Sequence, residues 1–191
     1  MDRRWVRPIG RALRGLRAGM AGLASHRFSG VAESIRLTSP VFGHGTDIPE
    51  KFTADGAGVS PPLAWEGVPV GTRSLVLLVE DPDVPVPVPV VHALVYGMPT
   101  TLTELGEGAI PSGSDGTGRH GFRLGRSGLG RIGWVPPSPP PGHGPHHYAF
   151  QMFALDCSPS FEWPPGRIAL LRQMDRHVLG FGVLFGVYER V

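Results

Sequence analysis

One cysteine, Cys157, stands in 191 residues, which excludes an internal disulfide and any cysteine cluster with metal-ligand spacing. A reducing compartment, the cytoplasm, is the expected location, and neither a metal nor a cofactor is expected. Also missing is any run of about eighteen consecutive apolar residues, so no segment is expected to cross a bilayer as a helix. No fixed period orders the 28 glycines and 21 prolines, which lie scattered between apolar runs. That distribution favours many short elements joined by turns over a helical bundle. With 41% hydrophobic and 18% charged residues, the chain has the composition of one globular domain with a sizeable core.

Acidic residues are scarce at one end. Residues 1–30 hold seven arginines and one acid, Asp2, a local balance of +6 under a formal net charge of +2, so residues 31–191 stand at −4. Within this tail Trp5, Ile9, Leu13, Leu16, Met20 and Leu23 recur at helical spacing between the arginines. The chain therefore divides into an arginine-rich extension, residues 1–30, flexible or an amphipathic helix, and a domain over residues 31–191. A basic amphipathic helix suits an anionic membrane surface, so residues 1–27 are a candidate peripheral membrane contact. Pro8 and the glycines at 10, 15, 19 and 22 weaken the helix, and a start at Met20 is an equal alternative. Arginines interrupt every apolar run, which disfavours a secretory signal. No aromatic platform accompanies the basic residues, so no nucleic-acid partner is expected.

From Ile35 onward β-branched and aromatic runs alternate with turn residues, the pattern of short strands. The clearest are 74–80 (SLVLLVE), 90–98 (VVHALVYGM), 147–155 (HYAFQMFAL) and 182–189 (GVLFGVYE), each apolar enough to be covered on both faces. A helix is expected near the C-terminus, with Ile168, Leu171, Met174 and Val178 on one face, Pro164 and Pro165 at its start and Gly180 at its end. Two segments, 81–89 (DPDVPVPVP) and 134–146 (WVPPSPPPGHGPH), are too rich in proline for a central strand and read as loops at strand ends, where binding residues gather.

Those loops carry the chemistry. Asp81 and Asp83 end one strand, His92 begins the next, and His143, His146, His147 and Tyr148 cluster at the start of a third. If the three strands are neighbours, a carboxylate and several imidazoles meet at one rim, and a histidine held by a carboxylate offers N–H groups to an oxyanion such as phosphate. Each signal has a plainer reading. Asp-Pro-Asp opens turns, His92 suits a satisfied core position, and Tyr148 and Trp65 suit core aromatics. The three clustered histidines have ligand-like spacing but no cysteine or second carboxylate to complete a zinc site. Around Ser127 the sequence GRSGLG is only superficially a nucleophile elbow, since no strong strand precedes it.

Taken in order, FTADGAGVSPPLAW (52–65), GTRSLVLLVEDPDVP (71–85), VHALVYGMP (91–99), PPPGHGPHHYAFQMFALD (139–156) and GVLFGVYER (182–190) resemble the phosphatidylethanolamine-binding protein family, and within it a bacterial, Raf-kinase-inhibitor-like branch. The resemblance runs from about residue 34 to the C-terminus. It implies an all-β fold with one or two short helices, an antiparallel β-sandwich with Greek-key topology and a small anion pocket at one end. In that family the pocket is lined by the first Asp of DPDxP, the following strand's His, and the His and Tyr of HxYxF, here Asp81, His92, His146 and Tyr148. Asp83, Pro140, Gly142 and His147 complete the expected ligand-binding set, and Pro137 to Pro140 would supply a loop wall.

This sequence departs from the family pattern at Val84, where alanine is common, at Val90, Val91 and Ala93, where aromatics are common, and at His147, where arginine is usual. The arginine-rich tail has no counterpart, and the C-terminal extension of some eukaryotic relatives is missing. The function expected is non-enzymatic recognition of a phosphorylated small molecule, a phospholipid headgroup or a phosphorylated protein. The alternatives are an interaction protein inhibiting a kinase or protease and, last, a hydrolase or metal site on the same Asp/His cluster. A homodimer is a candidate assembly.

Overall fold

A computed structural model describes residues 3–128 and 130–191, with the side chains of 3–7 and 119 left aside. The strands are β1 (Arg36–Thr38), β2 (Thr46–Asp47), β3 (Leu63–Glu66), β4 (Ser74–Asp81), β5 (Val90–Met98), β6 (Glu104–Leu105), β7 (Arg123–Leu124), β8 (His146–Leu155) and β9 (Val178–Tyr188). The helices are α1 (Arg3–Ala12), α2 (Ala24–Arg27) and α3 (Arg167–Met174). The strands make two open sheets, one of three strands in the order β1-β3-β6 and one of six in the order β2-β9-β8-β4-β5-β7. The fold is thus mostly β with few helices, and two features depart from the expected antiparallel Greek-key sandwich. β2 runs parallel to β9 at the sheet edge, and Glu33 bridges Phe181 in parallel.

Side-chain alternation sorts the large sheet into two faces. Leu75, Leu77 and Val79 of β4 and Phe150, Met152 and Ala154 of β8 join Leu37, Leu63 and Trp65 of the small sheet in one apolar core. Val76, Leu78, Phe153 and Leu155 point the other way, into a second core with Leu170, Leu171 and Met174 of α3 and with Ala24 and Phe28. Being covered on both sides explains why these strands read as unbroken apolar runs.

The helix near the C-terminus is shorter than its sequence pattern. Arg176 adopts a left-handed backbone, φ 65°, and the His177 N–H closes back on the Met174 carbonyl, so the helix stops there. Val178 and Gly180 belong to β9 instead, and Ile168, placed on the buried face by spacing, is 66% exposed. At the other terminus the apolar stripe packs only at its end. Ile9 and Leu16 are exposed, whereas Leu23, Ala24 and Phe28 are buried, so packing reaches back into the segment expected to be an extension. The side chain of Trp5 lies outside the described residues. Among those described, no helix is long and apolar enough to cross a membrane.

Candidate anion-binding site

Strand order brings the chemistry together. β4 lies between β8 and β5 and is antiparallel to both, so the end of β4 meets the beginnings of its two neighbours at one rim. Asp81 continues the inner-face series of β4, and His146 and Tyr148 that of β8. His92 arrives by a bulge: Val79 pairs with Ala93 but Glu80 with Val91, which leaves His92 as the extra residue. Its ring stands edge-on to Tyr148, 5.0 Å between centroids.

A row of hydrogen bonds runs through the site. His146 Nδ1 lies 2.7 Å from Asp81 Oδ2, His146 Nε2 lies 2.8 Å from His143 Nδ1, and His143 Nε2 lies 2.9 Å from the Leu13 carbonyl oxygen. Three hydrogen bonds between an acidic and a carbonyl acceptor need three protons. With Asp81 and the Leu13 carbonyl as the acceptors, His146 donates from Nδ1 and His143 from Nε2, and the third proton lies between His143 Nδ1 and His146 Nε2. Burial, then the charge of His146, lowers the pKa of His143, which agrees with a neutral ring there. The Nδ1–H of His92 donates to the Val135 carbonyl at 2.8 Å. Burial also lowers the pKa of His92, with Asp81 opposing, so its free Nε2 is ordinarily a bare lone pair.

The Tyr148 hydroxyl is fully buried and, among the described residues, has no acceptor for its proton, while the Ser138 main-chain N–H is directed at its oxygen without closing a full hydrogen bond. Burial first, and Asp81 second, raise its pKa well above the usual phenol range, so it stays a donor. Asp81 also turns the loop, its Oδ1 accepting the Asp83 N–H at 2.8 Å, and the Asp83 carboxylate receives the main-chain N–H and ring Nδ1–H of His147, both at 2.7 Å. Burial would push Asp83 up, but these bonds and Arg17 outweigh it, and its pKa is lowered.

Not every expected residue reaches the pocket. His147 sits on the opposite face of β8, half exposed, and lines an open apolar groove of about 810 Å³ with Met20, Leu23, Val31, Phe181 and Phe185. A zinc set of His143, His146 and His147 is therefore split across the sheet. Pro140 and Gly142 are tied into the loop through their main chains, the first accepting the His143 N–H and the second donating to the Arg190 carbonyl. Among the described residues, the three ligand-type side chains within reach of one shared ion are Asp156, Cys157 and His177, at the far end of β8. Sequence reasoning missed the Leu13 carbonyl and Arg17, since nothing local signals a contact between residues 130 positions apart.

The sequence profile of the phosphatidylethanolamine-binding protein family matches residues 38–189. This chain belongs to the phosphatidylethanolamine-binding protein family. A UPF0098 protein of Pyrococcus horikoshii is 40% identical over 82% of this chain and 77% of its own length. Another, from Chlamydia trachomatis, is 38% identical over 82% of this chain and 99% of its own. Two solved structures agree. A putative phosphatidylethanolamine-binding protein homolog from Chlamydia trachomatis superposes with a TM-score of 0.73 at 36% identity, covering 84% of this chain and 100% of that one. For E. coli YbcL, described as a new member of the mammalian family, the TM-score is 0.76 at 28% identity, covering 83% and 99%. The rim of Asp81, His92, His146 and Tyr148 lies inside the part matched to the phosphatidylethanolamine-binding protein profile, and the first 37 residues lie outside it.

Proposed function

We propose that this chain is a non-enzymatic binding protein that holds a phosphate-type oxyanion between His146, His92 and Tyr148, with Asp81 fixing the charge and orientation of His146. The observation that carries this reading is the Tyr148 hydroxyl, a buried donor with no acceptor among the described residues, beside the hydrogen-bonded His146–Asp81 pair. Leaving such a group unsatisfied costs about 1–3 kcal/mol, and a bound oxygen removes that cost. The anion could belong to a lipid headgroup, a phosphorylated metabolite or a phosphorylated protein, since the groups recognise the oxyanion itself. The row of hydrogen bonds favours recognition over hydrolysis, because it ends on a main-chain carbonyl and not on a hydroxyl or thiol nucleophile. A single half-buried thiol suits a reducing compartment such as the cytoplasm.

Calorimetric titration of inorganic phosphate and phosphoethanolamine into the wild type, His146→Ala and Tyr148→Phe tests this. Both variants should lose at least tenfold in affinity. Tyr148→Phe should meanwhile unfold at an equal or higher urea concentration, because it deletes an unsatisfied buried hydroxyl. Unchanged affinity in both folded variants would retire the pocket.

A further inference from the structure

The site is closed in this structure, and the chain that holds its plug, His143, in place comes from outside the part matched to the family. Asp81, His143, His146 and Tyr148 are at most 2% exposed. Residues 10–19 lie against His143 and the loops that flank it, fastened in three ways besides the Leu13 contact. Along the loop after β4, the N–H groups of Ala18 and Gly19 donate to the carbonyls of Val84 and Pro82 at 3.0 and 2.8 Å. The Arg17 guanidinium pairs with the Asp83 carboxylate and donates to the Pro145 carbonyl at 3.1 Å. Gly10 is buried against the opposite loop, where a Cβ would overlap the Pro141 carbonyl oxygen.

These contacts differ in kind from those that hold the next stretch of chain. Residues 23–28 are anchored by core side chains, Ala24 and Phe28 among them, and by the Ala24 N–H donating to the buried Glu80 carboxylate at 2.9 Å. Residues 10–18 bury little apolar side chain, Leu16 and the adjacent Ile9 being exposed, and are held mainly by polar contacts, which open at lower cost than a core does. Gly19, at φ 88°, stands at the junction, where a left-handed backbone is available to turn the chain. What the arm holds is the ring of His143. Its Nε2 is tied to the Leu13 carbonyl, and its Nδ1 occupies His146 Nε2, the nitrogen an oxyanion needs.

We propose that residues 10–19 are a self-docked occupant of the anion site: while they are seated, His143 plugs His146, and an anion reaches His146 only when the arm lifts at Gly19. The proposal rests on the anion-binding reading of the pocket. Arm and anion then compete, and weakening the arm strengthens anion binding.

The test uses the full chain as wild type, Gly10→Val and Arg17→Ala, each checked for folding by circular dichroism. Gly10→Val drives a side chain into the Pro141 carbonyl, and Arg17→Ala removes the ion pair with Asp83. Titration of inorganic phosphate should show both variants binding about tenfold more tightly than the wild type. Equal affinity across the three would overturn the proposal. Trypsin cleavage after Arg14, followed by mass spectrometry, reads the arm without any ligand. It should be slow in the wild type and accelerated in both variants, and saturating phosphate should accelerate it in the wild type. If phosphate binds none of the three proteins, the anion reading fails and with it the competition, while protection of the Arg14 bond still reports whether the arm docks. Cleavage equally fast in all three shows that the arm is not seated and overturns the proposal even if phosphate binds.

Discussion

His92 sets the sign of the pocket's response to pH. Its Nδ1–H is committed to Val135, so it can donate to an anion only after Nε2 gains a proton, and burial lowers the pKa for that step. An anion must then draw a proton in as it binds. Sulfate, whose charge is constant in this range, should bind more weakly as pH rises from about 6 to 8, by up to tenfold per unit. A flat calorimetric profile would show that His92 does not contribute a charge. Folding responds in the opposite sense. The unfolded chain takes up the proton more readily than the folded one, so this stabilisation is complete above about pH 6.5 and is lost as pH falls through the lower folded-state value. Urea midpoints should fall between pH 7 and pH 5, and less so in His92→Asn, which keeps a donor for Val135 but does not titrate. At this scale the sequence was informative where chemistry sits at strand ends, as with Asp81, His92, His146 and Tyr148. It misled at His147, because neighbours on a strand point to opposite faces, and adjacency to His146 says nothing of a shared pocket.

Among the elements, β5 was legible to its end residues, 90–98, because turn-forming residues bracket a β-branched run. α3 was not, since its end depends on a left-handed Arg176, a conformation that the residue type does not announce. β9 shows a further constraint. The docking of residues 33–35 along it depends on Gly182, where a Cβ would overlap the Ile35 carbonyl oxygen. Gly182→Ala must push two backbones apart and should lower stability by about 1–3 kcal/mol, read as a lower urea midpoint with unchanged slope. The bulge that aims His92 was invisible for a related reason. It is a mismatch between two strands, and neither strand's own pattern contains it.

Across the whole molecule, one buried carboxylate ties together parts far apart in sequence. Glu80, on the outer face of β4, receives the Arg167 Nε–H at 2.5 Å, the Gln151 amide at 2.7 Å and the Ala24 N–H, while Arg167 also donates to the Gly22 carbonyl at 2.6 Å. The sheet, α3 and the N-terminal segment therefore meet at one charge. Glu80→Ala leaves the Arg167 Nε–H, the Gln151 amide and the Ala24 N–H without this acceptor and should cost on the order of 3 kcal/mol, with the loss appearing in thermal unfolding of the whole chain. The division at residue 30 followed charge, a property of composition, whereas packing follows apolar contacts such as Phe28 on Phe153, which composition does not locate.

Cys157 stands just past the last residue of β8, whose ten residues span roughly 30 Å from the rim that begins at His146. Being the only thiol, it offers a single attachment point for a fluorescent dye without engineering, at a distance suited to energy transfer from a labelled ligand at the rim. Burial first, and Asp156 second, raise its pKa, so the coupling reaction should proceed faster at mildly alkaline pH than at neutrality.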